Sequence, residues 1–136
     1  GLETLKNHWI SKSINLSGFN PKDGSGLSPS GYITPKNMVD ILVHMSKDSS
    51  FDFFYNTIPI LGEEGTVRYK DPRNKTDGRV RAKSGSIEGT RAFAGYFTDK
   101  KGEKYAFMIA VNQYEPSAFS KVRAFLDSFL VDIGTY

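Results

Sequence analysis

The chain has 136 residues, 38% of them hydrophobic and 13% aromatic, with a formal net charge of +3 and no cysteine. That is one domain's worth of globular chain, and it excludes disulfides, thiolate metal sites and a cysteine nucleophile. No run approaches the roughly 18 apolar residues of a membrane span, and Gly1-Leu2-Glu3-Thr4 reads as the middle of something longer, not as a secretory leader.

Leu2, Leu5, Trp9 and Ile10 recur at helical spacing and predict an amphipathic helix over residues 2–13. From Gly18 to Gly31 the chain reads as loop, with Pro21, Pro29 and the run Asp23-Gly24-Ser25-Gly26-Leu27-Ser28. Glycines flanking a serine let a backbone come close to a ligand or make a tight turn. Thr34-Pro35 is a helix start, a hydroxyl N-cap before proline at the first helical position. The helix it opens, residues 35–47, gathers Met38, Val39, Ile41, Leu42 and Met45 on one face. Ser50 starts a second, over 51–58, carrying Phe51, Phe54, Tyr55 and Ile58 until Pro59 ends it. Glycine, proline and charge dominate from Gly62 to Gly78, where Val67 and Tyr69 predict a brief extended piece.

The last third reads as three antiparallel strands over 79–85, 90–98 and 103–112, joined by Ser86-Ile87-Glu88-Gly89 and by Asp99-Lys100-Lys101-Gly102. Ala92, Ala94 and Tyr96 face one way, and Phe93 and Phe97 the other. Both faces are apolar, so the sheet is expected to be covered on both sides. Glu115-Pro116 opens a final helix over 116–133, with Phe119, Val122, Phe125, Leu126, Phe129, Leu130 and Ile133 on one broad face. The fold class is therefore α+β: an antiparallel β-meander with flanking helices and a C-terminal helix packed on it.

Chemistry is concentrated in few places. His8 and His44 lie far apart without an acidic motif between them, so neither a catalytic histidine nor a metal site is expected, and no cofactor is implied. The basic clusters Lys100, Lys101, Lys104 and Arg68, Lys70, Arg73, Lys75 lack interleaved aromatics, which argues against nucleic acid. Lys83-Ser84-Gly85 at the end of a strand has a mechanical meaning in serine acyltransferases. The ammonium and hydroxyl hold a substrate carboxylate, and the glycine removes a side chain so that substrate can lie along the strand as an added one. The Ser86 N–H just beyond can supply half of an oxyanion hole. The tripeptide alone is weak evidence and takes its weight from the strand before it and the strands and helix after it. A Ser-x-x-Lys nucleophile motif does not occur, and Ser13-Ile14-Asn15, the one Ser-x-Asn match, is a decoy at the end of a predicted helix.

Three ordered segments carry a family resemblance. Asp23-Gly24-Ser25-Gly26-Leu27-Ser28 before Ile33-Thr34-Pro35, then Ile60-Leu61-Gly62 with Gly65-Thr66-Val67, then Ala82-Lys83-Ser84-Gly85-Ser86-Ile87 with Ala94-Gly95-Tyr96, resemble the D-alanyl-D-alanine carboxypeptidase/endopeptidase family of penicillin-binding proteins. The resemblance implies a β-lactamase/transpeptidase-like fold and a periplasmic or extracytoplasmic serine peptidase acting on peptidoglycan stem peptides through an acyl-serine intermediate. β-Lactams would be partners of the full-length protein. Residue by residue, it implies that Lys83 and Ser84 bind the substrate carboxylate beside Gly85, that the Ser86 N–H serves the oxyanion, and that Asp23, Ser25 and Leu27 shape the cleft rim. Pro29 stands where the family often has arginine, Gly31 where asparagine is frequent, and Ser84 where the tripeptide usually has threonine. Residues 1–136 are thus expected to be the C-terminal part of a longer penicillin-binding domain, with no catalytic nucleophile of their own. Self-association or an open sheet edge is expected of such a piece. Alternatives from other classes are a non-catalytic peptidoglycan-peptide-binding module and a plain α+β interaction domain.

Overall fold

Residues Val80 to Asn112 build three antiparallel strands, with apolar side chains of β4 and β5 on both faces, and helices pack on both sides of the sheet. The structure, a computed structural model, describes residues 1–136. In chain order it contains α1 (Leu2–Ser11), a short ladder of β1 (Phe19–Asn20) and β2 (Tyr32–Ile33), α2 (Pro35–Met45) and α3 (Phe51–Thr57). A 3-10 turn at Gly65–Val67 precedes β3 (Val80–Ile87), β4 (Thr90–Thr98) and β5 (Lys104–Asn112); a second, at Pro116–Ala118, leads into α4 (Phe119–Gly134). β4 is central, with Gly85 of β3 opposite Ala92 and Ala110 of β5 opposite the same alanine.

The period-2 alternation of the strands divides the core in two. On one face Val80, Ala82, Phe93 and Phe107 meet Leu126 and Leu130 of α4, closed by Leu61 and Val67. On the other, Tyr96 packs with Leu42 of α2 and Ile58 beyond α3, flanked by Met38, Phe51, Phe54 and Ala94. Burying each large side chain in full stabilises the fold by about 1.5–3 kcal/mol. Tyr96 keeps its polar end satisfied by donating its hydroxyl to the Leu42 carbonyl at 2.7 Å, and burial pushes that phenol up to about 12. Gly95 is required between Phe93 and Tyr96, because a Cβ there would collide with the Arg81 carbonyl oxygen of β3.

Thr34 caps α2 as its sequence predicts, accepting the Asn37 N–H at 3.2 Å with Pro35 at the first helical position. Several local expectations are corrected. The Val67–Tyr69 stretch is not extended: Gly65 at φ +53 starts a 3-10 turn that drops Val67 fully into the core and leaves Tyr69 82% exposed. β3 continues through Ser86 and Ile87, which pair with Arg91 and Thr90, so Glu88-Gly89 alone makes the turn, with Gly89 at φ +65. Residues 18–31 are bracketed by the β1–β2 ladder instead of being loop throughout. The last α-helix starts at Phe119 because Pro116 opens a 3-10 turn first, and Phe125 lies outside its buried face at 57% exposure.

The polar segment before β3 is organised by a buried carboxylate. Asp71 accepts the N–H groups of Lys75 and Thr76 and the Thr76 hydroxyl at 2.8–2.9 Å. Burial alone would raise its pKa; those hydrogen bonds outweigh it and hold the group below the usual carboxylate range. Lys70 reaches from the same segment to Asp127 of α4 at 2.6 Å, fastening the loop to the helix.

Candidate functional site

The outer edge of β3 is half covered and half open. The Leu61 N–H donates to the Val80 carbonyl at 2.9 Å and the Ala82 N–H donates to the Pro59 carbonyl at 3.0 Å, so residues 59–61 occupy the first half of the edge. Backbone groups alternate sides along an antiparallel strand, which makes Ser84 and Ser86 the next residues to direct theirs outward. No strand lies beside them, since β3 ends the sheet.

At the point where the covering segment leaves the edge sits Lys83. Its Nζ donates to the neighbouring Ser84 carbonyl at 3.1 Å. The ion pairs of the molecule join Lys36 to Asp40, and Lys70 and Arg123 to Asp127, so the charge of Lys83 has no carboxylate against it. The Ser84 hydroxyl lies 2.6 Å from the Thr66 hydroxyl. A Cβ on Gly85 would meet nothing within 4 Å, so the strand surface there is open above the backbone. Ser86 follows, exposed. The arrangement can hold an anionic chain end beside Lys83 and pair an extended backbone along Ser84–Ser86.

Facing the far end of the sheet is the glycine loop. Asp23 shapes it from within: Oδ1 accepts the Ser25 N–H and hydroxyl at 2.8 and 2.9 Å and the Gly26 N–H at 2.6 Å, while Oδ2 accepts the Ser28 N–H at 2.8 Å. The Ser25 hydroxyl, first among these donors, holds the Asp23 carboxyl below its ordinary range together with the backbone groups. Between this loop and the sheet runs a cleft of about 750 Å³, floored by Ile87, Ala92, Met108 and Ala110 and rimmed by Lys22, Glu88, Asn112 and Gln113.

Of the residues singled out from sequence, Lys83, Ser84, Gly85 and Ser86 are consecutive on the open edge, and Asp23 lines the cleft. Ser25 and Leu27 do not line it; the Ser25 hydroxyl is turned to Asp23 and Leu27 is 73% exposed. Ser13-Ile14-Asn15 lies just after α1 and belongs to a local turn, in which the Asn15 side chain accepts the Ser17 N–H at 2.9 Å and its carbonyl is taken by the Asn37 amide. Sequence reasoning missed the contact of Thr66 with Ser84, although Gly65-Thr66-Val67 was among the segments carrying the resemblance. It also missed Glu88, Asn112 and Gln113, which no spacing connects and which meet at one rim because β5 pairs with β4 beside the β3–β4 turn.

A family model for the D-Ala-D-Ala carboxypeptidase 3 (S13) family matches residues 1–133. The chain is 36% identical over 97 residues to the D-alanyl-D-alanine carboxypeptidase DacB of Haemophilus influenzae, covering 68% of this chain and 20% of that protein. It is 29% identical over 128 residues to a D-alanyl-D-alanine carboxypeptidase of Actinomadura sp., covering 90% of this chain and 23% of that protein. The fold superposes on the crystal structure of penicillin binding protein 4 from Haemophilus influenzae with a TM-score of 0.79 at 27% identity, over 96% of this chain and 31% of that one. A second structure of that protein is complexed with a β-lactam. A class A β-lactamase from Bacteroides cellulosilyticus shares the fold at a TM-score of 0.59 and 18% identity, over 97% of this chain and 53% of its own. The chain therefore spans about a fifth of the length of the curated relatives it matches. With a family match running from Gly1 to Ile133, and with the expected Lys-Ser-Gly strand at the sheet edge, the chain belongs to the D-Ala-D-Ala carboxypeptidase 3 (S13) family.

Proposed function

We propose that these 136 residues form the C-terminal part of a serine-type D-Ala-D-Ala carboxypeptidase/endopeptidase acting on peptidoglycan stem peptides outside the cytoplasm. The observation that carries this reading is the open half-edge of β3, where outward backbone groups of Ser84 and Ser86 follow directly on the uncompensated charge of Lys83. The terminal carboxylate of a D-Ala-D-Ala peptide binds Lys83 and the Ser84 hydroxyl, the peptide pairs along the edge, and the Ser86 N–H donates to the carbonyl that becomes an oxyanion. A serine nucleophile outside these residues attacks that carbonyl, the last D-Ala leaves, and water releases the acyl-serine. Gly85 leaves the space above the strand free for the reacting bond. The β-lactam complex of penicillin binding protein 4 supports the extension that the full-length protein binds β-lactams.

Titration of the chain with acetyl-D-Ala-D-Ala, followed by the backbone amides of Ser84–Ser86 in NMR spectra, tests the anchor. The free acid is expected to shift those amides, the C-terminal amide of the same peptide is not, and Lys83→Ala is expected to abolish the response. A sample exposed to fluorescent penicillin is expected to carry no stable label. Equal responses to acid and amide, or a labelled serine, would overturn the corresponding half of the proposal. A complete anchor without a Ser-x-x-Lys also favours a second reading, a non-catalytic module that binds stem peptides by itself. Affinity separates them, since a module that acts alone is expected to bind the peptide more tightly than half a site, each tenfold being about 1.4 kcal/mol.

A further inference from the structure

We infer that Thr66 is a positioning residue for the substrate carboxylate, acting through the hydroxyl of Ser84; this rests on the anchor reading just proposed. The two oxygens are 2.6 Å apart, and either can donate. A hydroxyl has one proton and two lone pairs. If Ser84 donates to Thr66, its proton is spent; if Thr66 donates to Ser84, the Ser84 proton is free to point at an arriving anion. A carboxylate beside Lys83 selects the second arrangement, and a relay from Thr66 to Ser84 to the carboxylate forms, in which each bond polarises the next.

Three features favour this over a tie that merely holds the loop. The segment is already fastened to β3 by the bonds from Leu61 to Val80 and from Ala82 to Pro59, and by the full burial of Leu61 and Val67. Thr66 itself is exposed, so water would satisfy its hydroxyl at no cost, and burial does not compel the bond. Ser84 also lacks the β-branch that stiffens χ1, so its rotamer needs an outside partner to be set before a ligand arrives. Gly65 at φ +53, packed on Pro59, turns the chain so that Thr66 faces the strand while Val67 enters the core.

The test compares Thr66→Val, Thr66→Ser, Ser84→Ala, Lys83→Ala and the double variant Thr66→Val/Ser84→Ala in the titration with acetyl-D-Ala-D-Ala. Side-chain couplings of Ser84 report its χ1, and thermal melts confirm folding. Thr66→Val is expected to average the Ser84 rotamer and weaken carboxylate-dependent binding roughly fivefold, the value of one hydrogen bond. Thr66→Ser is expected to restore both, and Thr66→Val to add nothing once Ser84 is alanine. If Ser84→Ala and Lys83→Ala lose binding while Thr66→Val leaves binding and rotamer unchanged, the positioning role is overturned and the anchor stands. If Ser84→Ala and Lys83→Ala bind as the parent does, the anchor is overturned and the role of Thr66 with it.

Discussion

Asp23, which lines the cleft, and Lys83, on the open edge of β3, show how differently two charged side chains can be used. Lys83 keeps its charge unpaired at the open edge, where an anion can use it. Asp23 spends its carboxylate on four donors of its own loop, so its contribution is to the shape of the rim and not to contact with a ligand. Because those donors stabilise the charged form, the Asp23 carboxyl is depressed in the folded chain. Its contribution is therefore complete at neutral pH and is lost as pH falls through that depressed value, below the ordinary range near 3.9. Asp23→Ala is expected to remove that transition and to speed amide exchange at Ser25, Gly26 and Ser28 at pH 7. The thermal midpoint is expected to stay near that of the parent, since the loop is exposed. Unchanged exchange at those three amides would refute the organising role.

At the scale of elements, β4 ties the two halves of the core together, because its side chains serve α4 on one face and α2 and α3 on the other. Tyr96 is the joint on the second face, ringed edge-on by Phe51 and Tyr55 at 5.3 and 5.8 Å and bonded to Leu42. Tyr96→Phe is expected to cost about 1 kcal/mol near neutral pH, a modest loss because the Leu42 carbonyl keeps the Ser46 N–H at 3.0 Å. The phenol is raised to about 12 in the folded chain and titrates near 10 when unfolded. Its contribution is thus full below pH 10 and declines as pH rises from 10 towards 12. Urea melts between pH 8 and 11 are expected to show the parent losing its advantage over Tyr96→Phe above pH 10; parallel curves would contradict the assignment.

For the whole molecule, the consequence lies in what the sheet leaves uncovered. β3 is capped only over its first half, and β5 carries no strand along its outer edge. The cleft is floored by apolar side chains of the sheet, and α1, a helix with no buried residue, leaves Leu5 and Ile10 exposed on the surface. Open edges and apolar surface of this kind recruit further chains. The isolated chain is therefore expected to self-associate with rising concentration, read by light scattering, and a charged substitution on the cleft floor, Met108→Lys, is expected to reduce it. A strict monomer at every concentration would overturn the expectation.

The sequence by itself determined the order and type of the main elements. Thr34-Pro35 announces α2 by local capping chemistry, and the alternation through Ala94, Gly95 and Tyr96 assigns each residue to a face of the sheet, because the period of a strand is a local property. It also marked Lys83-Ser84-Gly85 as a candidate anchor. The tertiary structure decided what local patterns cannot encode. Val67 turns inward because a core lies beneath it, Asp23 folds onto its own loop while Ser25 and Leu27 leave the cleft, and half of the β3 edge is taken by residues 59–61. Thr66 meets Ser84 across 18 positions of chain. Such contacts depend on how the chain returns to itself, and no spacing along the sequence records that return.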